Sequence, residues 1–324
     1  MMKRRQMLQL GIGLGLGINA TARESLVWQE RSLLGFGTTL WIKAAHTDAA
    51  RLQQALNESV KAIRSVEKQM SLFDPDSAVS RLNRLGELRR PDPELLSVLT
   101  LAQYVSQRSS GAFDVTMQPL WSLWSLHSQS QTLPSSKALS QTRSLVNWQA
   151  MSVAPQLVRL HTKGMGVSLN GIAQGYAADK VRSVLQSHGV QHALIDTGET
   201  TLLGQSPKGD AWRFAVEPSV VSNEAPQVIT PGGWAVATSS DSHTSFSADH
   251  LHHHILNPHT GGSPMYWSSV SVMAPSCAMA DALTKVFFMC PPRGVERLAK
   301  AWGVGVVLQD KRGKWFSYQS AQNS

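Results

Sequence analysis

The chain has 324 residues, of which 42% are hydrophobic and 16% charged, a composition that excludes a disordered or fibrous protein. Its formal net charge of +8 falls to +5 (8 − 3) when Lys3, Arg4 and Arg5 are removed with the leader described next. The remaining positive charge is spread along the chain without a Lys/Arg block, which disfavours nucleic-acid binding.

The first 22 residues have the pattern of an export signal. Three basic residues precede the mostly apolar run Met7–Ile18, which is followed by Ala20-Thr21-Ala22, a typical cleavage pattern. The apolar run is shorter than the ~20 residues that span a bilayer, so we expect no permanent membrane anchor. Arg4-Arg5 favours twin-arginine export, and a general secretion signal is the alternative. We therefore predict a signal peptide over 1–22 and one periplasmic domain over 23–324.

Helices and strands alternate without a strict βαβ rhythm, which favours an α+β fold. Apolar spacing predicts helices over Asp48–Met70, Ile172–Leu185, Cys277–Cys290 and Arg293–Trp302. Asp92-Pro93-Glu94 predicts the start of a further helix, which continues over Leu95–Val105. Strands are predicted over Phe36–Ala44, His192–Asp196, Arg213–Glu217, Gly233–Thr238, Ser269–Ala274, Gly305–Leu308 and Trp315–Tyr318. The polar segments Gln129–Asn147 and Pro218–Pro231 are predicted to be surface insertions.

The two cysteines, Cys277 and Cys290, lie in one predicted helix. Thirteen residues at about 1.5 Å each would separate them by roughly 20 Å. A disulfide needs Cα atoms within about 7 Å. We therefore expect two unbridged thiols.

Five short segments carry the signals for a ligand site. In chain order they are MSLFDPDSAVSRLN (70–83), GAFDVTMQPLWSLW (111–124), SLNGIAQGYAAD (168–179), ATSS (237–240) with HHILNPHTG (253–261), and AMADALTK (278–285). Taken singly, each segment can equally be a turn, a helix start or part of the core. Glycines that allow close backbone approach, aromatic rings and carboxylates are nevertheless the groups from which nucleotide-like sites are built.

Five histidines lie within HLHHHILNPHTGG (250–262), which at first suggests a metal site. In an extended segment His250, His252 and His254 would share one face. A zinc site is one interpretation, and a ligand-binding loop is the other. The resemblance of HHILNPHTG to a ligand loop of the family named below favours the loop, and it implies that His254 is structural or near the ligand and that His250, His252 and His259 are in solvent.

The ordered set of five segments, together with the HALIDTGE strand (192–199), resembles the ApbE family of FAD:protein FMN transferases from about Phe36 to Met289. The resemblance implies a two-lobed α+β fold with FAD in a cleft between the lobes. It also implies that Mg²⁺ assists cleavage of the FAD pyrophosphate, with FMN passing to a Thr or Ser hydroxyl of a partner protein and AMP leaving. The usual partners are flavoprotein subunits of membrane redox complexes.

By matched motif position, the resemblance also implies the site residues. The flavin site would comprise Phe36, Phe73, Ala112, Phe113, Asp114, Ser168, Gln174 and Ile255. The metal would be held by the backbone carbonyls of Gly171 and Ala278 and by Asp281, with position 285 also in the metal set. Asp281 and Lys285 are the expected catalytic residues.

Three departures from the family pattern concern the charge of this site. Lys285 replaces the usual threonine four residues after Asp281, and Thr284 lies one place, or ~100° of helix, away. SLNG (168–171) with Gln174 replaces a more acidic segment. Asn257 and TGE (197–199) replace the usual Asp and Gly-Gly-Asp. The leading hypothesis is a Mg²⁺-dependent flavin transferase. The alternative is an exported FAD-binding protein, a flavin donor or redox-complex assembly factor, with weak or no transferase activity.

Overall fold

The computed structural model describes residues 25–219, 222, 224–242, 244–247 and 251–318. The predicted signal peptide and His250 lie outside these residues. The strands are β1 (Val27–Gly35), β2 (Thr38–His46), β3 (Glu87–Arg89), β4 (Met151–Ala154), β5 (Leu157–Leu160), β6 (His192–Asp196), β7 (Thr200–Leu203), β8 (Phe214–Val216), β9 (Gln227–Ile229), β10 (Ala235–Ser240), β11 (Trp267–Ala274), β12 (Gly305–Asp310) and β13 (Trp315–Tyr318). The helices are α1 (Ala49–Met70), α2 (Ala78–Leu85), α3 (Pro93–Arg108), α4 (Gln118–Gln129), α5 (Ser136–Arg143), α6 (Ala173–Ser187), α7 (Cys277–Phe288) and α8 (Val295–Trp302).

The fold is built on an eight-stranded sheet of order β1-β2-β6-β7-β10-β11-β12-β13, in which every paired neighbour is antiparallel. Side chains alternate between its two faces. Ala237, Val272 and Leu308 enter the main core on the α7 side. Val236 and Met273 point to the other face, against the small β8-β9 sheet. The fold is α+β, as predicted.

Three helices, α1, α6 and α7, pack together on this sheet. Helices α6 and α7 touch backbone to backbone, because a Cβ atom at Gly175 would overlap the Cys277 carbonyl. The N-terminus of α7 is capped from α6: the Asp179 carboxylate accepts from Cys277 N (2.8 Å), Ala278 N (3.0 Å) and Ser276 Oγ (2.8 Å). The start of α7 is therefore fixed relative to α6.

A second layer, formed by α2, α3 and the β3-β5-β4 sheet, completes the main core. Asn83 of α2 ties it to the segment that leads into α6, since its amide donates to Val167 O (2.8 Å) and accepts from Val167 N (2.6 Å). Helices α4 and α5 pack on each other, and Leu120 and Trp124 of α4 form a separate small core with Phe246 and Leu256. Among the described residues, no helix is long and apolar enough to cross a membrane.

Some predicted elements differ from the observed ones. The strand predicted over Phe36–Ala44 begins at Thr38, because Phe36 and Gly37 have positive φ (51° and 78°) and form the two-residue turn between β1 and β2. The segment Gln129–Asn147 contains α5, which has no buried residue, and Pro218–Pro231 contains β9. Cys277 and Cys290 are free thiols, as predicted, Cys277 being buried.

Candidate flavin-binding cleft

A cavity of about 400 Å³ lies where the loop after α3, the start of α6, the ends of β6 and β10, and the 254–258 loop meet. This volume is within the ~300–1,000 Å³ typical of small-molecule sites. It is lined by eight of the sequence-predicted residues: Ala112, Phe113, Asp114, Ser168, Gly171, Gln174, Ile255 and Lys285. The remaining four, Phe36, Phe73, Ala278 and Asp281, are not among the lining residues.

One wall of the cavity is apolar and comes from the predicted aromatic segment. Phe113 and Ile255 are buried (4% exposed each), and Trp121 of α4 stands beside them in the lining. The wall is held in place because Ser168 N donates to Val115 O (2.8 Å) and Trp124 Nε1 donates to Gly261 O (2.8 Å). A planar aromatic ligand would find its contact surface here.

Asp114 holds the backbone of this wall in place through its carboxylate. Its Oδ1 accepts from Thr116 N (2.8 Å) and Thr116 Oγ1 (2.7 Å), and its Oδ2 accepts from Trp148 N (3.0 Å). Burial raises the pKa of the Asp114 carboxyl, while these hydrogen bonds oppose the rise. Much of the acceptor capacity of Asp114 is therefore used to shape the loop that lines the cavity.

Phe36 and Phe73 lie together at the β1-β2 turn. Phe36 N donates to Glu67 Oε1 (2.7 Å), and its side chain packs partly buried against the core. The Phe73 ring is 77% exposed and lies close to Gly37. Thr38, the residue after Gly37, lines the cavity, so the β1-β2 turn lies at one edge of it.

The opposite wall is polar. Thr238, Ser239 and Ser240 of β10 line it together with Glu199, which lies three residues after the end of the predicted strand His192–Asp196. Glu199 Oε2 accepts from Thr238 N (2.8 Å). Burial and then the nearby Asp281 carboxylate raise the pKa of Glu199 well above its usual range. Sequence reasoning noted Glu199 as a departure but did not place it in the site; its position just past a strand end was the available signal.

Lys285 of α7 also lines the cavity, and it forms an ion pair with Asp281, four residues earlier in the same helix. Lys285 Nζ lies 2.5 Å from Asp281 Oδ1 and 3.2 Å from Asp281 O. Asp281 is buried (1% exposed), and its Oδ2 accepts from Gly175 N (3.3 Å). The Lys285 stem passes close to Gly171, where an added Cβ would lie 3.1 Å from Lys285 Cε.

Thr284 does not replace the absent threonine. Its Oγ1 donates to Asp281 O (2.7 Å) and is hydrogen-bonded to Ser239 Oγ (2.7 Å), and the residue is fully buried. This is the displacement that one residue of helix rotation predicts. Both hydrogen bonds of this hydroxyl are therefore made within the protein.

These contacts decide whether a divalent cation fits at Asp281. Mg²⁺ requires oxygen ligands at about 2.0–2.1 Å. The carboxylate oxygen that would serve is already in contact with an ammonium, and a dication beside that ammonium would be repelled by several kcal/mol. With Lys285 in its observed position, Gly171, Ala278 and Asp281 do not fit a Mg²⁺ ion.

The histidines of the 250–262 loop have separate environments. The expectation that His252 is in solvent was wrong: it is half-buried and stacks on Trp124, with ring centroids 4.8 Å apart. His253 is fully buried near Phe288, and His259 is exposed. His254 lines the cavity, and its Nδ1 lies 3.2 Å from Thr244 O. Within the described part of the chain, no three His, Cys, Asp or Glu side chains are grouped to hold a metal.

Comparison with known proteins agrees with this geometry. The ApbE family matches residues 36–308. A relative named FAD:protein FMN transferase, from Vibrio cholerae, is 30% identical over 283 residues, covering 84% of each chain. The solved flavin transferase ApbE from V. cholerae superposes with a TM-score of 0.78 at 27% identity, covering 92% of this chain and 98% of that one.

A second solved structure, the apo flavinyl transferase ApbE of Pseudomonas stutzeri, has a TM-score of 0.80 at 26% identity, with 92% and 96% of the two chains covered. The match spans both walls of the cavity, from Phe36 at the β1-β2 turn to the end of the lysine-bearing helix and beyond. This chain is therefore a member of the ApbE family.

Proposed function

We propose that this protein transfers FMN from FAD to a threonine or serine hydroxyl of a partner flavoprotein and releases AMP. The observation that carries the proposal is the division of one cavity into an aromatic wall (Phe113, Trp121) and a polar wall that ends in the Lys285 ammonium. FAD divides in the same way, into an apolar isoalloxazine ring and an anionic pyrophosphate.

In this reaction the acceptor hydroxyl oxygen forms a bond to the phosphorus of the FMN half, and the bond from that phosphorus to the oxygen of AMP breaks. The hydroxyl proton is given up to AMP or to water. Such transfers depend mainly on positioning and on charge stabilisation. The start of α6, with Gly171 and Gln174 at the cavity, presents the positive end of a helix dipole to the pyrophosphate.

The family resemblance also implies Mg²⁺ in this reaction. Because the donors at Asp281 do not fit the ion while Lys285 is in place, no step is assigned to it. The chain's own residues supply the positive charge: the Lys285 ammonium and the dipole of α6.

Export to the periplasm and an acceptor in a membrane redox complex belong to the same proposal. Export is supported by the leader pattern at Lys3–Ala22.

The test is covalent labelling of an acceptor. The protein is incubated with FAD and a flavoprotein domain that naturally carries FMN on a threonine, and the acceptor band is inspected for flavin fluorescence after denaturing electrophoresis. We expect a fluorescent band, release of one AMP per label, and loss of the band when the acceptor threonine is changed to valine.

The Lys285–Asp281 ion pair also favours a second function, an FAD-binding protein without transfer. In that case FAD would bind tightly while several such acceptor domains remained unlabelled. That combination of results would contradict the transferase proposal.

A further inference from the structure

The Lys285–Asp281 ion pair is buried at its carboxylate and partly exposed at its ammonium. Asp281 is 1% exposed, whereas the Lys285 side chain is 23% exposed and faces the cavity. The two ends of the pair thus have different environments: the carboxylate belongs to the helix packing, and the ammonium to the ligand site. A buried carboxylate requires such a partner, because an unpaired buried charge is costly.

The other polar groups around Asp281 are already paired. Gly175 N donates to its Oδ2, and Thr284 Oγ1 donates to its carbonyl. Lys285 Nζ donates to the carbonyl and to Oδ1. An ammonium has three N–H donors. Two of them go to Asp281, so the third is available to an anionic oxygen in the cavity.

We infer that the Lys285 ammonium takes the place of a divalent cation at Asp281, so that FAD binds in this cleft without one. The inference rests on the proposed function for the identity of the ligand. One donor of a fixed, cavity-facing cation would bond to a pyrophosphate oxygen, and such charge-assisted hydrogen bonds are among the stronger ones. The positive charge is covalently attached and is not removed by a chelator.

Replacing Lys285 should reverse the cation requirement. In Lys285→Thr the ammonium is lost, the space beside Gly171 opens to the cavity, and a hydroxyl is added beside the Asp281 carboxylate. These are the oxygen donors that Mg²⁺ prefers. In Lys285→Met the ammonium is lost without a new ligand. Lys300→Thr is the matched control, because Lys300 forms the same i,i+4 pair with Glu296 on the exposed surface of α8.

The experiment measures FAD binding by the full chain from flavin fluorescence, once with EDTA and once with millimolar Mg²⁺. Binding of Mn²⁺ in the presence of FAD is followed in parallel by electron paramagnetic resonance. For the native chain and Lys300→Thr we expect the same FAD affinity in both buffers and no FAD-dependent Mn²⁺ binding. Lys285→Met should bind FAD roughly tenfold more weakly in both buffers. Lys285→Thr should bind FAD more weakly than the native chain in EDTA and regain that affinity in Mg²⁺. It should also bind Mn²⁺ in the presence of FAD.

FAD-dependent Mn²⁺ binding by the native chain, or loss of its FAD affinity in EDTA, would overturn the inference. Both of these results are obtained with the native chain, so they do not depend on whether a variant folds. Acceptor labelling separates the two proposals. Cation-independent FAD binding without labelling removes the proposed transfer and leaves the inference. Labelling of the acceptor together with FAD-dependent Mn²⁺ binding by the native chain supports the proposed transfer and overturns the inference. Absence of FAD binding in both buffers contradicts both the proposed transfer and the inference.

Discussion

At the scale of single residues, His253 gives the protein a defined acid sensitivity. The ring is fully buried, with Nε2 3.4 Å from Pro264 O and Nδ1 without a partner. Burial, and then the positive charge of Lys311, lower the pKa of His253 from 6.5 to about 3. In the unfolded chain His253 therefore becomes protonated below about pH 6.5, whereas in the folded chain it becomes protonated only near pH 3.

Stability should consequently fall with pH over this window. Between pH 7 and pH 5 the native chain should lose about 2 kcal/mol of unfolding free energy through this histidine. His253→Gln, which keeps a donor for Pro264 O and does not titrate, should remove that part of the slope. Urea unfolding at several pH values measures it, with exposed His161→Gln as the control for loss of a histidine. Equal slopes in the native chain and His253→Gln would contradict the assignment.

At the scale of secondary-structure elements, the Asp179 carboxylate on α6 fixes the position of α7 by accepting from two backbone amides and one hydroxyl. Asp179→Ala should cost about 3 kcal/mol, because these buried donors lose their partner at a positive helix end. The change is measured by urea unfolding, together with faster hydrogen exchange at Cys277 and Ala278.

The control for this prediction is Asp92→Ala at the start of α3, where the side chain accepts from a single amide, Glu94 N (2.8 Å). Its expected cost is about 1 kcal/mol. Similar losses at the two positions would show that Asp179 acts as an ordinary cap and does not join two helices.

The elements also show what the sequence could predict. Apolar spacing placed α1 within one residue of its observed start, and β6 was predicted with its observed ends. Strands β3, β4 and β5 have only three or four residues each, too few for an alternating pattern to be recognised. Helix α4 was not predicted, because its residues were considered only as ligand-site signals or as part of the core, and only Leu120 and Trp124 of it are buried.

The site was predictable wherever a motif was contiguous. Phe113, Gln174 and Ile255 were found because each lies within a recognised segment, and all three line the cavity. The burial of Glu199 beside Asp281 was not predictable, because it depends on pairing of β7 with β10, which lies far from it in the chain. The ion pair formed by Lys285 depended likewise on the rotamer that the surrounding packing selects.

At the scale of the whole molecule, the cavity is lined by both layers, since Phe113 follows α3 whereas Ser239 belongs to the central sheet. A ligand bound there stabilises both layers at once. With FAD at about 100 times its Kd, the unfolding free energy should rise by about 2.7 kcal/mol. If 23–324 is one domain, tryptophan fluorescence and far-ultraviolet circular dichroism should report one coincident transition with and without FAD. Two separated transitions would indicate independent domains.

The backbone contact between Gly175 and Cys277 has a genetic consequence. Because this contact and the Asp179 cap set the distance between α6 and α7 through main-chain atoms, the side chain at position 285 can change without moving the floor of the cleft. Lysine and threonine codons differ by one base. If Lys285 replaces the cation as inferred, a single point mutation separates a protein that carries its own cation from one that takes it from solution, and the change needs no rearrangement of the fold.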